Sequence, residues 1–290
     1  MLKTIWLQEQ SNKDTENCAI LLGGFDGLHI GHRALVERAK SFGVTIGAMT
    51  ILGGKAEEGL FTLAERERIF REAGVSFLFA FTFSEIKDLT PQEFAVLLQE
   101  KWKPSVFVCG TDFRFGNGAK GTPKLLEETT RVRVETIEPI TVDGTKVSSG
   151  HIKKLLADGK IAEANALLGE EFFLVGEVFP DRKIGRTIGF PTANVAYPQG
   201  KFPIKKGVYE TVTRVDGREY KGITNFGARP TFDETTVVTE TYLDGFSGDL
   251  YGRCLRVRFV RFLREITKFE SAEALKKQLE KDVRRIREND

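Results

Sequence analysis

Short apolar runs alternate with amphipathic stretches through the first half of the chain. Ala19–Leu22, Val44–Met49, Val75–Phe83 and Val106–Gly110 have the length of buried strands. Between the first two runs, helical spacing carries Leu35, Val36 and Ala39 in a helix predicted from about Ile30 to Phe42, with Gly43 as its stop. Thr62-Leu63-Ala64-Glu65 and Thr90-Pro91-Gln92-Glu93 have the spacing of capping boxes. The first opens a helix that runs to Gly74, and the second opens one that turns Phe94, Leu97 and Leu98 inward. The polar run Gln8–Asn17 reads as a loop after a short first strand. Ile152 to Leu168 reads as two short helices, broken at Gly159 and stopped at Gly169. Strands alternating with helices predict an α/β unit with a parallel sheet, crossovers on its faces and ligands beyond the carboxyl ends of its strands.

The pattern then changes. Phe172 to Phe269 gives no helical period, only short valine-, phenylalanine-, tyrosine- and threonine-rich runs punctuated by glycine. Phe173–Val178, Gly207–Arg214, Tyr220–Phe226, Val237–Leu243 and Cys254–Leu263 are the expected strands, with an Asp216-Gly217 hairpin turn between two of them. Such spacing predicts a closed or nearly closed antiparallel barrel. A terminal amphipathic helix follows, with Leu275, Leu279, Val283 and Ile286 in one stripe. The boundary is expected between about 169 and 174, giving domains 1–170 and 171–290.

Composition narrows the class. A chain of 290 residues suffices for two cores, and a net charge of +2 offers no electrostatic case for a nucleic-acid or membrane partner. Three cysteines without a C-x-x-C pair fit a reducing compartment. Met1–Trp6 lacks the apolar stretch of a signal peptide, and no apolar run is long enough to span a bilayer. A cytoplasmic protein acting on small molecules, as a monomer or weak homo-oligomer, is expected.

The chemistry concentrates in a few loops. Gly23-Gly24-Phe25-Asp26-Gly27-Leu28-His29-Ile30-Gly31-His32 joins the first buried run to the first helix. Glycines there let backbone N–H groups face a phosphate, and histidines three apart share one helix face. The chain has three histidines, two of them here. A structural turn fits the same residues, and so does a zinc pair, though Cys18, Cys109, Cys254 and His151 are too scattered to complete a metal site. A second loop, Gly110 to Gly121, combines four glycines with Asp112, Arg114 and Lys120, and Phe113 and Phe115 could pin it to the core. A third segment, Lys146 to Lys153, places Ser148 and Ser149 before a helical pattern, where they could equally be plain N-caps. In the second half, Gly185 to Asn194 clusters glycines, a proline and polar groups before a strand.

Phe25-Asp26-Gly27-x-His29-x-Gly31-His32 resembles the signature of the nucleotidyltransferase superfamily, and its prefix is closest to bacterial bifunctional riboflavin kinase/FAD synthetases. Gly110-x-Asp112-Phe113-x-Phe115-Gly116 resembles that family's second motif, and Gly189-Phe190-Pro191-Thr192-Ala193-Asn194 its kinase signature. Asn225 to Phe232, Glu240 with Tyr242-Leu243-Asp244, and Phe246 to Gly252 follow in the family's order, so the resemblance covers about 19 to 285. It implies a Rossmann-like nucleotidyltransferase domain followed by a six-stranded, riboflavin kinase-like antiparallel β-barrel with a terminal helix. The implied activities are phosphorylation of riboflavin by MgATP to FMN, and adenylylation of FMN by ATP to FAD and pyrophosphate.

The resemblance also implies roles. His29 and His32 would act at the adenylyl transition state and Glu240 as the kinase base. Gly24, Phe25, Asp26, Asp112, Ser148, Ser149, Lys153, Gly185, Arg186, Gly189 and Pro191 would bind nucleotide. Phe113, Arg114, Phe115, Arg229, Asp249, Leu250 and Tyr251 would border the flavin, and Thr192 and Asn194 would hold Mg²⁺. The chain departs from the family at three places. Gly150 stands for a threonine and Lys153 for an arginine, and Thr50-Ile51-Leu52-Gly53-Gly54 replaces a Thr-Phe-x-Pro-x-Pro run. Two other functions fit the same residues: a riboflavin kinase with a degenerate adenylyltransferase domain, and a flavin-binding regulator without catalysis.

Overall fold

The computed structural model describes residues 2–9, 15–53, 58–180, 189–228 and 237–288. The chain divides into two compact units, Met1–Ser149 and Gly150–Asp290.

The first unit contains a six-stranded sheet, all of whose pairs are parallel. Its strands are β1 (Lys3–Trp6), β2 (Ala19–Leu21), β3 (Ile46–Leu52), β4 (Phe77–Thr82), β5 (Val106–Gly110) and β6 (Arg133–Ile137), in the order β1-β4-β3-β2-β5-β6. The chain winds outward from β2 through β3 to β4, then crosses back to pair β5 with β2. The β2/β5 crevice is therefore the point where strand order reverses, the place where open α/β sheets bind ligands. Both glycine-rich loops leave the sheet there.

Helix α1 (Ile30–Lys40) packs on β2, β3 and β5. Helices α2 (Leu63–Glu72) and α4 (Pro91–Trp102) start with the predicted capping boxes, Thr62 with Glu65 and Thr90 with Glu93. A short turn of helix, α3 (Phe83–Ile86), connects β4 to α4. The core gathers around Trp102, stacked on Phe79 at 4.1 Å and edge-on to Phe81 at 5.5 Å. Helix α5 (Pro123–Thr130) adds Leu126 to the same core. After β6, a small hairpin, β7 (Thr141–Val142) and β8 (Thr145–Lys146), turns at Asp143 and Gly144, both at positive φ.

The second unit is a closed barrel in the order β10-β13-β12-β11-β14-β9. Its strands are β9 (Phe173–Phe179), β10 (Thr192–Ala196), β11 (Gly207–Val215), β12 (Arg218–Ala228), β13 (Val237–Leu243) and β14 (Cys254–Arg264). Five match predicted runs. The sixth, β10, begins at Thr192, inside the stretch Gly185 to Asn194 that reads from the sequence as a loop before a strand, because Thr-Ala-Asn lacks the apolar weight of its neighbours. Inside the barrel, Thr211, Thr224 and Thr241 share hydroxyl hydrogen bonds of 2.8 and 2.9 Å, which satisfy buried polar groups among Tyr209, Phe226 and Phe259.

Helices α6 (Ser149–Ala157) and α7 (Ile161–Leu168) end near Gly159 and Gly169, both at positive φ. The division at Ser149 falls earlier than the boundary expected from the sequence. Helix α7 packs on β14, with the Asn165 amide donating to Phe259 O at 2.8 Å and its Oδ1 accepting from Phe172 N at 2.7 Å. The terminal helix α8 (Ala272–Arg287) lays Leu279, Val283 and Ile286 against Phe190, Val208, Ile223 and Leu263 on the barrel's outer face.

Candidate active sites

The stretch from Leu22 to His29 carries the first site. His29 is the N-cap of α1, and its Nδ1 accepts from the His32 backbone N–H at 3.2 Å. His32 Nδ1 lies 2.7 Å from the Gly27 carbonyl oxygen. The two rings stack at 3.6 Å, and Phe25 tilts against His32 at 4.4 Å. Gly31 eases this packing, since a Cβ there would sit a tight 3.2 Å from the His29 ring. Burial pushes His29 down to about 4 and His32 down to about 3, and the cation of Lys146 pushes both the same way. The signature thus sets two imidazoles, neutral in the free protein, at a positive helix end that suits an incoming anion.

The signature's backbone is held in an unfavourable shape. Phe25 has φ of 38°, the left-handed region that a bulky residue seldom adopts. Arg66 of α2 supplies the constraint. Its Nη2 donates to Asp26 Oδ1 at 2.6 Å, Nη1 to Thr50 Oγ1 at 3.0 Å and Ile51 O at 3.1 Å, and Nε to Phe61 O at 2.9 Å. Thr50 Oγ1 in turn donates to Phe25 O at 3.2 Å, and Leu60 N donates to Asp26 Oδ1 at 2.8 Å. One buried guanidinium therefore ties the signature to both ends of the segment between β3 and α2. Breaking a buried pair by removing one partner costs about 3–5 kcal/mol. Arg66→Met is expected to lower the melting temperature of the first unit and reduce any reaction at the signature, with barrel chemistry spared. Assaying both reactions on one preparation checks this.

Across the crevice, Asp112 follows β5 and pairs with Lys146 at the end of the hairpin. Phe115 is buried in the sheet's core and stacks with Phe113 at 5.5 Å, so the pair anchors the loop. The Arg114 guanidinium folds back onto the Phe113 carbonyl at 2.8 Å. Ser148 is half-buried just after the hairpin and Ser149 begins α6. Lys153, further along α6, sets its ammonium 5.6 Å from the Phe202 ring.

The second site is a cavity of about 450 Å³ on the barrel. It is lined by Pro191, Thr192 and Asn194 at the start of β10 and by the loop Phe246 to Tyr251 after β13. In the β10/β13 register, Asn194 lies opposite Glu240 and Thr192 opposite Tyr242. Directly opposed residues share a face, so Thr192, Asn194, Glu240 and Tyr242 project together. The loop is shaped by Asp249, whose Oδ1 accepts from Tyr251 N at 3.0 Å, and Tyr251 stays 41% exposed at the rim, an aromatic face open to a planar ligand. Asp244, where the loop begins, accepts two 2.7 Å hydrogen bonds from Arg287 of α8, which holds its carboxyl below the usual carboxylate range.

Comparisons with known proteins bear on both sites. A riboflavin kinase family model matches residues 168–289 and an FAD synthetase family model matches 11–151. The bifunctional riboflavin kinase/FMN adenylyltransferase of Bacillus subtilis strain 168 is 32% identical over 280 residues, covering 90% of this chain and 89% of that protein. The protein of the same name from Escherichia coli strain K12 is 32% identical over 296 residues, covering 96% and 94%. The chain belongs to this bifunctional family. A crystal structure described as a macrolide-efflux protein from Streptococcus pneumoniae has the same architecture, with a TM-score of 0.86, 28% identity and 97% of each chain covered.

Within this chain, the structure brings the candidate residues into two groups. Gly24, Phe25, Asp26, His29 and His32 form the first, with Lys146 close enough to influence both imidazoles. Pro191, Thr192, Asn194, Asp249, Leu250 and Tyr251 form the second. Glu240 does not line the cavity but shares the face of Asn194 beside it. Gly189 is described at positive φ. Gly185, Arg186 and Arg229 lie outside the described residues. Arg66 and Lys146 are the residues that pattern reasoning missed. A charge on a predicted amphipathic helix reads as solvated, so nothing flagged Arg66. Lys146 carried a weak signal as the basic residue just before the serine pair.

Proposed function

We propose that the first unit adenylylates FMN at the His29/His32 signature and that the barrel phosphorylates riboflavin at the Thr192/Asn194 cavity, with ATP the donor in both. The observation that carries this is the convergence of two hard oxygen donors and an aromatic-rimmed loop at one cavity, with a carboxylate beside it on the same strand face. In the barrel, the ribityl 5′-oxygen attacks the γ-phosphorus, Glu240 accepts its proton, and the bond to the β-phosphate oxygen breaks to release ADP. In the first unit, an FMN phosphate oxygen attacks the α-phosphorus and pyrophosphate leaves. No group of the protein becomes covalently bound. His29, His32 and the N-terminus of α1 stabilise the charge that grows on the phosphoryl oxygens.

Thr192 and Asn194 fit Mg²⁺ by the chemistry of their donors, a hydroxyl and an amide carbonyl beside a site that takes triphosphate. Mg²⁺ commonly relies on a few protein oxygens with phosphate and water completing its shell. When bound there it would neutralise charge on the phosphates. Cytoplasmic action suits Cys18, Cys109 and Cys254, all free thiols, two of them buried and pushed up to about 12. Among the described residues no helix is long and apolar enough to cross a membrane.

Incubation with riboflavin, ATP and Mg²⁺, followed by chromatography over time, tests the proposal. FMN is expected first and FAD after it. Accumulation of FMN that is never converted would assign the chain to the kinase alone. Bound flavin with release of neither ADP nor pyrophosphate would make it a regulator.

A further inference from the structure

The two signature histidines are fixed in opposite tautomers. A backbone N–H can only donate, so the His32 N–H at 3.2 Å from His29 Nδ1 leaves that nitrogen unprotonated and puts the proton of a neutral His29 on Nε2. A carbonyl oxygen can only accept, so Gly27 O at 2.7 Å from His32 Nδ1 requires a proton on that nitrogen. The free edge of a neutral His32 is then Nε2 with a lone pair. His29 can donate to a phosphate oxygen as it stands, whereas His32 would meet the same oxygen lone pair to lone pair.

We propose that His29 binds the nucleotide as a neutral donor and that His32 becomes an imidazolium, taking about one proton from solvent when the triphosphate arrives. This rests on the signature being the ATP site of adenylyl transfer. The groups around His32 explain why the charge comes with the ligand. His29 stacks on it at 3.6 Å, Phe25 covers it at 4.4 Å, and the N-terminus of α1 lies beneath it. Lys146, from the hairpin, adds a cation whose partner carboxylate is Asp112. Among the described residues no carboxylate forms an ion pair with either ring. Burial, His29 and Lys146 disfavour a charged ring in the free protein, the Gly27 carbonyl only partly offsets them, and His32 is pushed down to about 3. A triphosphate reverses that balance, since an opposite charge within reach favours the protonated form. Binding energy is thereby linked to a proton, and affinity at this site weakens as pH rises by up to about tenfold per unit.

The chain has three histidines, so nitrogen NMR of the full-length protein labelled with ¹⁵N-histidine reads each ring directly. His151→Gln and His32→Gln assign the signals, and an α,β-methylene analogue of ATP with Mg²⁺ is the probe at pH 7.5. The expected result is His32 protonated on Nδ1 alone before addition and on both nitrogens after it, with His29 protonated on Nε2 throughout. Signals that shift while His32 stays neutral, or His29 rather than His32 becoming charged, overturn the proposal but leave the ATP site standing. If neither histidine responds at saturating analogue, both the proposal and the ATP site fall. As a second readout, the analogue's affinity at the signature falls between pH 6 and 8 in the wild type. In His32→Gln, which offers an N–H without taking up a proton, it is expected to be flat.

Discussion

His29→Ala is expected to reduce FAD formation from supplied FMN by roughly 10²–10³-fold while FMN formation from riboflavin stays at the wild-type rate. The size follows from what the ring supplies, a preorganised donor aimed at charge that develops on a phosphoryl oxygen. His29 also caps α1, and losing an N-cap costs about 0.5–2 kcal/mol. The two contributions separate in His29→Asn. Asparagine is a good N-cap, so the melting temperature should recover, but its shorter amide cannot reach where the imidazole Nε2 stood, so activity should not. Recovery of FAD formation along with stability would reduce His29 to a structural cap.

Glu240→Gln is expected to lower riboflavin phosphorylation by about 10²-fold or more, the usual scale for a general base. The amide keeps the shape and the cross-strand position opposite Asn194 but cannot accept the hydroxyl proton. Conversion of added FMN to FAD should be unaffected. A variant that forms FMN at an unchanged rate would remove Glu240 from the mechanism and leave the cavity as a binding site whose base lies elsewhere.

The sequence exposed the parts of the fold that local rules determine. Thr62 and Thr90 cap their helices because a hydroxyl with a glutamate three residues on satisfies two backbone groups at once, and that needs no tertiary information. Strand Val106–Gly110 was legible because burial on both faces makes it apolar throughout. Strand β6 and the hairpin were not, since the first is only partly buried, the second is exposed, and neither carries a clear period. The same holds for the sites. Glycine-rich turns stand out where they follow apolar runs, and paired histidines stand out in a chain with three. Arg66 does not, because its importance lies in contacts with Asp26, Thr50, Ile51 and Phe61, which only the fold brings together. The histidine tautomers are further still from the sequence, set by one N–H and one carbonyl in the turn.

The most direct test of two separate sites is to mix them. His29→Ala protein, which should stop at FMN, and Glu240→Gln protein, which should not make FMN, are incubated together with riboflavin, ATP and Mg²⁺. The account predicts FAD in the mixture at a rate set by free FMN, and little or none with either variant alone. No FAD from the mixture, although each variant retains its other reaction, would contradict the division of the chemistry between the signature and the barrel.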